Sequence, residues 1–195
     1  MNKLFIFLLM LFSIPTFAQH LTFMGIPIDG TKESFYYRLE SKGFTKTGFY
    51  MSGEFAGRPC RVFCIGEPIY QVDVDYLTYK GYVTVLPEGG SIISVISAID
   101  QATQEYKKLN QVFQKKYGYA DSVEDTRKET SYNALLGRYE VITRYDTTNG
   151  EIFVTLSINL GSSVWKTEPK GAISITYRDK ENYPYSTIQD IYNDI

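Results

Sequence analysis

The sequence predicts an α+β fold built from two consecutive helix-plus-antiparallel-sheet units, with the helices packed on one face of the sheet and a further helix at the C-terminus. Three observations carry this reading. The hydrophobic period alternates between helical and two along the chain, in the order helix, strands, linker, helix, strands, helix. The first two helical segments end alike, in SKGF and KKYGY. Between the two halves lies PEGGS (87–91), the most linker-like stretch of the 195 residues. The expected boundaries are a leader at 1–18, a first unit at 19–86, a linker at 87–97 and a second unit at 98–195, with one compact domain over 19–195 as the other division.

The chain opens with MNKLFIFLLMLFSIPTFA, one cation at Lys3 followed by an apolar run and small residues. That is the pattern of a secretory signal peptide, with cleavage expected after Ala18 to leave Gln19 first. The run is shorter than the roughly 20 apolar residues a membrane span requires. No cysteine precedes Cys60, so a lipid anchor at the cleavage site has no thiol to use. The expected product is exported, periplasmic or extracellular, with no transmembrane span in the mature chain.

Thr31 is the expected N-cap of the first helix, Phe35 and Leu39 fall at i and i+4, and Gly43 is the left-handed stop. Counting back from Gly43, Leu39 and Phe44 occupy the two positions whose contact closes a Schellman motif. The period then becomes two. Phe49, Met51 and Phe55 share one side of TGFYMSGEF, AGRP turns, CRVFCI returns, and IYQVDVDYL places Tyr70, Val72, Val74 and Tyr76 on one face with Gln71, Asp73 and Asp75 on the other. YVTVL (82–86) is a further candidate strand. A longer helix follows, with Ile99, Ala102, Tyr106, Leu109 and Phe113 on its stripe and Gly118 as its stop. The polar stretch 119–133 reads as a loop. RYEVITRY, an Asn-Gly hairpin turn and EIFVTLSINL follow, the last with Ile152, Val154, Leu156, Ile158 and Leu160 in an inward row. AISITY is the final strand, and Ser186 with Gln189 forms a capping box for a terminal helix.

Composition excludes several functions. Without the leader the chain carries 19 basic and 22 acidic residues, and its cations are scattered, so the footprint of nucleic-acid binding is absent. Two cysteines in an exported chain suggest a disulfide, but Cys60 and Cys64 lie four positions apart in a strand pattern. Their Cα atoms would stand roughly 13 Å apart, beyond bridging range. No disulfide is expected, although a tight turn within the stretch would rescue one.

FMGIPIDGTKESF, the short helix ending KGF, and the later KYG and ITYRDK resemble a family of uncharacterised exported proteins of Gram-negative anaerobes. The likeness spans most of the chain and implies export but no particular activity. In architecture alone, two helix-plus-sheet units are similar to secreted inhibitors such as the β-lactamase inhibitor proteins, with no inhibitor residue carried over.

GIPIDGTK (25–32) approaches the phosphate-loop pattern, yet Thr31 stands at the lysine position, Lys32 falls one residue late, Pro27 removes a donor and Asp29 brings a carboxylate. The expectation is a capped helix entry and no nucleotide. With His20 as the one histidine, neither a two-histidine zinc site nor a Ser-His-Asp triad can form, and Cys60 or Cys64 would need His20 as a distant base. His20 lies near the expected mature N-terminus, where order is least expected. Asp73 and Asp75 point the same way and are the weak candidates for calcium or acid–base work, against a solvated strand face; Asp121, Glu124 and Asp125 form a similar acidic patch. Ser122 and Thr147 stand in Asp-[Ser/Thr] contexts that resemble periplasmic O-glycosylation signals. No cofactor is expected.

The 17 tyrosines are the compositional anomaly. Tyr70, Tyr76 and Tyr145 are expected in the core. Tyr37, Tyr79, Tyr119, Tyr183 and Tyr185 are candidates for a binding surface. The reading is a non-catalytic binding or inhibitory module of the cell envelope for a protein or glycan partner, with a carboxylate hydrolase and a structural envelope protein as alternatives.

Overall fold

A computed structural model describes residues 19–80, 93–126, 137–160 and 170–184, with side chains from residue 98 in the second helix. The elements are β1 (Thr22–Phe23), β2 (Ile26–Pro27), α1 (Lys32–Glu40), β3 (Thr45–Thr47), β4 (Tyr50–Phe55), β5 (Arg58–Gly66), β6 (Ile69–Lys80), α2 (Ile93–Tyr117), β7 (Ser122–Asp125), β8 (Arg138–Thr147), β9 (Gly150–Asn159) and β10 (Lys170–Asp179). The fold is mixed α+β: β3 to β10 form one eight-stranded antiparallel sheet in the order β3-β4-β5-β6-β10-β9-β8-β7, and β1 and β2 form a small hairpin. α1 precedes β3 to β6, and α2 precedes β7 to β10. The expected leader, the YVTVL strand and the capping box at Ser186 and Gln189 lie outside the described residues.

Alternation in the strands settles which face is covered. Val62, Val72, Val74, Ile152, Val154, Ile173 and Ile175 are buried on one face, and Phe35 and Leu39 of α1 join Ala102, Tyr106, Leu109 and Phe113 of α2 in the same core. At about 25 cal/mol per Å² of apolar surface, each such side chain contributes roughly 1.5–3 kcal/mol. α2 seats closely because β10 is bare where they meet: a Cβ on Gly171 would lie 2.5 Å from the Ala102 Cβ. The polar groups under α2 are satisfied. The Tyr145 hydroxyl donates to the Asn110 side-chain oxygen at 2.8 Å, and the hydroxyls of Tyr106 and Thr143 share a short hydrogen bond. Among the described residues no helix is long and apolar enough to cross a membrane.

α1 begins and ends as its chemistry dictates. Thr31 Oγ1 accepts the Ser34 amide at 3.2 Å, the Gly43 amide donates to the Glu40 carbonyl, and the Phe44 amide donates to the Leu39 carbonyl. These last two bonds are the Schellman pair, and Gly43 has the φ of +90° that the motif needs.

Several elements differ from expectation. Residues 122–125 form an edge strand where a loop was expected; its alternation is invisible because an edge strand exposes polar groups on both faces. α2 begins at Ile93, inside the expected linker 87–97. Phe49 precedes β4 and is exposed, so it does not share a core row with Met51. β9 ends at Asn159, which leaves Leu160 half outside instead of completing the inward row. In the β8–β9 hairpin Thr147 pairs with Gly150, so Thr148 and Asn149 are the loop and the Asn-Gly pair is not its centre. Gly150 is required instead by proximity, because a Cβ there would lie 2.1 Å from the Arg178 carbonyl oxygen.

Tyr70 also moves. The β5–β6 register runs from Ile65↔Gln71 to Gly66↔Ile69, which skips Tyr70 at a bulge. Ile69 turns inward in its place, while Tyr70 packs edge-on against Tyr183. Tyr76 and Tyr145 are buried in the core as expected.

Candidate functional site

The opposite face of the sheet carries no described helix. Cross-strand registers line up its residues in rows. One row runs Phe63, Asp73, Thr176, Phe153 and Arg144 across β5, β6, β10, β9 and β8. Tyr50 of β4 stacks on Phe63 at 5.5 Å between centroids and extends the row. A parallel row runs Arg61, Asp75, Ser174 and Thr155.

Aromatic rings and guanidinium groups gather at two places on this face. In the first, Phe49, Tyr50 and Phe63 form a mutual cluster with centroids 5.5–5.9 Å apart. Arg61 lies over two of the rings, 5.7 Å from Tyr50 and 6.0 Å from Phe63. Phe49 is 79% exposed, the largest apolar exposure in this cluster. In the second, Arg178 lies over both Phe153 at 4.8 Å and Tyr183 at 4.5 Å, and its Nη1 meets Glu151 at 3.3 Å. Phe63 and Phe153 are three strands apart on one row, which at 4.8 Å per strand is roughly 14 Å. The face is therefore two aromatic and cationic patches with Asp73 and Thr176 between them.

The candidate carboxylates lie on this face and are already engaged. Asp75 Oδ2 pairs with Arg61 at 2.7 Å. Asp73 accepts from Gln71 on both oxygens at 3.0 and 3.1 Å and from the Thr176 hydroxyl at 2.8 Å. Both carboxylates thus serve neighbouring strands, and among the described residues no cluster of three or more His, Cys, Asp or Glu is placed to hold a metal ion. The other acidic patch is dispersed as well: the Asp121 carboxylate accepts the Asp146 amide at 2.6 Å, tying β7 to β8.

Cys60 and Cys64 are free and buried on the inward face with Val62. Burial pushes the Cys60 thiol up to about 11 and the Cys64 thiol up to about 12, the latter despite a hydrogen bond with Tyr36. Burial likewise raises the Tyr36 hydroxyl to about 12. Nucleophilic chemistry needs the thiolate, and these positions suppress it.

His20, expected in a loose terminus, is instead held in a polar knot. Its Nδ1 lies 3.1 Å from Asp179 Oδ2, and its Nε2 lies 3.6 Å from Asp29 Oδ2. Asp179 is fully buried and also accepts the amides of Leu21 at 2.6 Å and Asn182 at 3.1 Å. The Asn182 amide group donates to the carbonyls of Ile28 and Ile69 and to Asp29. GIPIDGTK sits inside this knot: Asp29 Oδ1 accepts the Gly30 amide at 2.6 Å, and Arg38 donates to the Asp29 carbonyl. The knot fastens the N-terminal segment to the end of β10. Sequence reading missed Asp179 and Asn182, whose only signal was their place in a polar turn after a strand.

The remaining singled-out residues are distributed as follows. Ser122 lies in β7 and not in a loop, and the Thr147 hydroxyl donates to the Gly150 carbonyl within the β8–β9 hairpin. Gln19 is exposed, while Ala18 and Tyr185 lie outside the described residues. Tyr37 and Tyr119 are exposed, far more so than Tyr79 and Tyr183, which are half-buried. The exposed aromatic cluster thus holds two phenylalanines and one tyrosine, at the entry to β4 and on β5, and tyrosine count alone does not find it. No protein-family model, curated protein or solved structure matches the chain.

Proposed function

We propose that this is an exported, non-catalytic binding module of the cell envelope that holds a protein partner, by occupation or inhibition, against the uncovered face of its sheet. The observation that carries the reading is the cluster of Phe49, Tyr50 and Phe63 under Arg61, with Phe49 largely exposed. Aromatic side chains and arginine supply most of the energy in protein interfaces, and Phe49 leaves most of its ring surface in solvent. Export rests on the leader-like residues 1–18 and on the likeness of FMGIPIDGTKESF to exported proteins of Gram-negative anaerobes. We read the chain as tandem units, since a helix followed by four antiparallel strands occurs twice and the last strand of each meets the other at the centre of the sheet.

The test is affinity capture from envelope extracts with the wild-type chain beside Phe49→Ala and Phe63→Ala variants, followed by measurement with the purified partner. A protein bound by the wild type and weakened at least ten-fold in both variants supports the reading. Capture that ignores both substitutions, or binding confined to sugars on a glycan array, overturns it. Hydrolysis, the competing class, is disfavoured by the partners that Asp73 and Asp75 already hold.

A further inference from the structure

The sheet is not continuous between β5 and β6. Their ladder runs from Gly66↔Ile69 to Arg61↔Asp75 and stops there, although β5 continues back to Arg58 and β6 continues on to Lys80. Beyond that point, among the described residues, each strand is paired on its far side alone. β4 keeps Arg58, Pro59 and Cys60, and β10 keeps β6 as far as Lys80.

Two local features part the strands. Pro59, which would fall two positions beyond Arg61 in the continued register, has no N–H to donate. Tyr76 is the extra residue of a bulge against β10, where the register passes from Ser174↔Asp75 to Ile173↔Leu77. The result is a cleft of about 370 Å³ lined by Ser52, Cys60, Arg61, Asp75, Tyr76 and Thr78 among others. Cys60 and Tyr76 belong to the covered face, whereas Arg61 and Asp75 belong to the uncovered one. A lining drawn from both faces is what a parted sheet produces. On the helix side Arg58 pairs with Glu105 of α2 at 3.3 Å; on the other side Arg61 pairs with Asp75 at 2.7 Å, and no described helix covers that face.

Among the described residues, β6 from Tyr76 to Lys80 has no strand on its β5 side. Main-chain N–H and C=O groups at strand spacing ask for a partner with the same repeat, which is another extended chain. We propose that this split receives an extended segment of the partner polypeptide, which pairs its main chain with β6 at 76–80. The inference rests on the binding-module reading and names how part of that partner is held. About five residues would fill the length, at 3.3 Å each. Alternation fixes their character: side chains turned inward meet Cys60 and Tyr76 and should be apolar, and those turned outward meet Arg61 and Asp75 and should be polar.

The probe is a phage-displayed library of random 12-residue peptides, selected on the full chain and followed by synthesis of the strongest binder. Enrichment of alternating apolar residues is expected. N-methylation of every second peptide amide should weaken binding at least ten-fold while the intervening positions tolerate it, and amide exchange at 76–80 should slow in the complex. Pro59→Thr, which restores a donor and lets β5 close on β6, should also weaken binding at least ten-fold in a folded protein. The absence of an enriched sequence, or binding indifferent to N-methylation and to Pro59→Thr, overturns the proposal. Concentration-dependent dimerisation abolished by Pro59→Thr overturns it in favour of a second copy of the chain. Loss of an envelope partner in the Phe49 and Phe63 variants, with no effect of Pro59→Thr on that partner, leaves the binding module standing and removes only the cleft.

Discussion

The carboxylate of Asp179 accepts the backbone amide of Leu21 at 2.6 Å, across 158 positions of sequence. Asp179 is fully buried, and its remaining acceptor capacity is taken by His20 and by the Asn182 amide. Asp179→Ala would leave these donors without an acceptor. The expected loss is roughly 3 kcal/mol, since hydrogen bonds to a buried charge are each worth about 1.5–3 kcal/mol. Urea denaturation checks the magnitude. Faster amide exchange at residues 21–28 than at β8 and β9 would show that the loss begins in the N-terminal segment.

Gly171 and Ala102 set the distance between α2 and the sheet. Gly171→Val should cost about 1–3 kcal/mol by overpacking. Ala102→Gly in the same chain should recover part of it, because it removes the methyl group that the new side chain meets. A double-mutant cycle with no coupling would refute the close approach.

The cap of α1 and the nucleotide pattern of GIPIDGTK make opposite demands on Thr31. Its hydroxyl accepts the Ser34 amide, so Thr31→Ala should lower stability by about 1 kcal/mol. Gly43→Ala should cost about 1–2 kcal/mol at its left-handed φ. Addition of Mg-ATP should leave the melting temperature of the wild type unchanged. A clear upward shift would revive the phosphate loop.

Cys60, Cys64 and Tyr36 hold their protons more tightly in the folded chain than in the unfolded one. The thiols rise from 9.0 to about 11 and about 12, and the Tyr36 hydroxyl from 10.0 to about 12, in each case chiefly through burial. Between the unfolded and folded values the native state binds more protons, so its stability falls as pH rises. The contribution is complete below about pH 9 and is lost through pH 11–12. Urea midpoints should therefore decline from pH 9 upward. Both thiols should resist alkylation at pH 8 in the native protein and react promptly once it is unfolded.

Local signals made the helices legible. A capping threonine, a stop glycine and an apolar stripe are short-range features, and the Schellman pair of Leu39 and Phe44 follows from counting positions. Strand faces were legible wherever alternation ran unbroken, as from Val72 to Tyr76 and from Ile152 to Ile158. It failed at Tyr70, because a bulge shifts the face by one residue and leaves no mark in composition. β7 escaped notice because an edge strand need not alternate. Of the candidate site, the outward placement of Asp73 and Asp75 was readable. The meeting of Phe49 with Phe63, and of His20 with Asp179, was not, since both depend on strand register and chain closure over long separations.

The strand order places β6 and β10 side by side in the middle of the sheet. During synthesis β3 to β6 can assemble their meander early, but β6 then waits for β10, made about 90 residues later, at the pace of elongation. Until that neighbour arrives, β6 and its buried row of Val72, Val74 and Tyr76 stand at an edge of the assembled strands. A chain that ends before residue 170 should therefore be a sticky fragment, because pairing with β10 is what covers that side of β6.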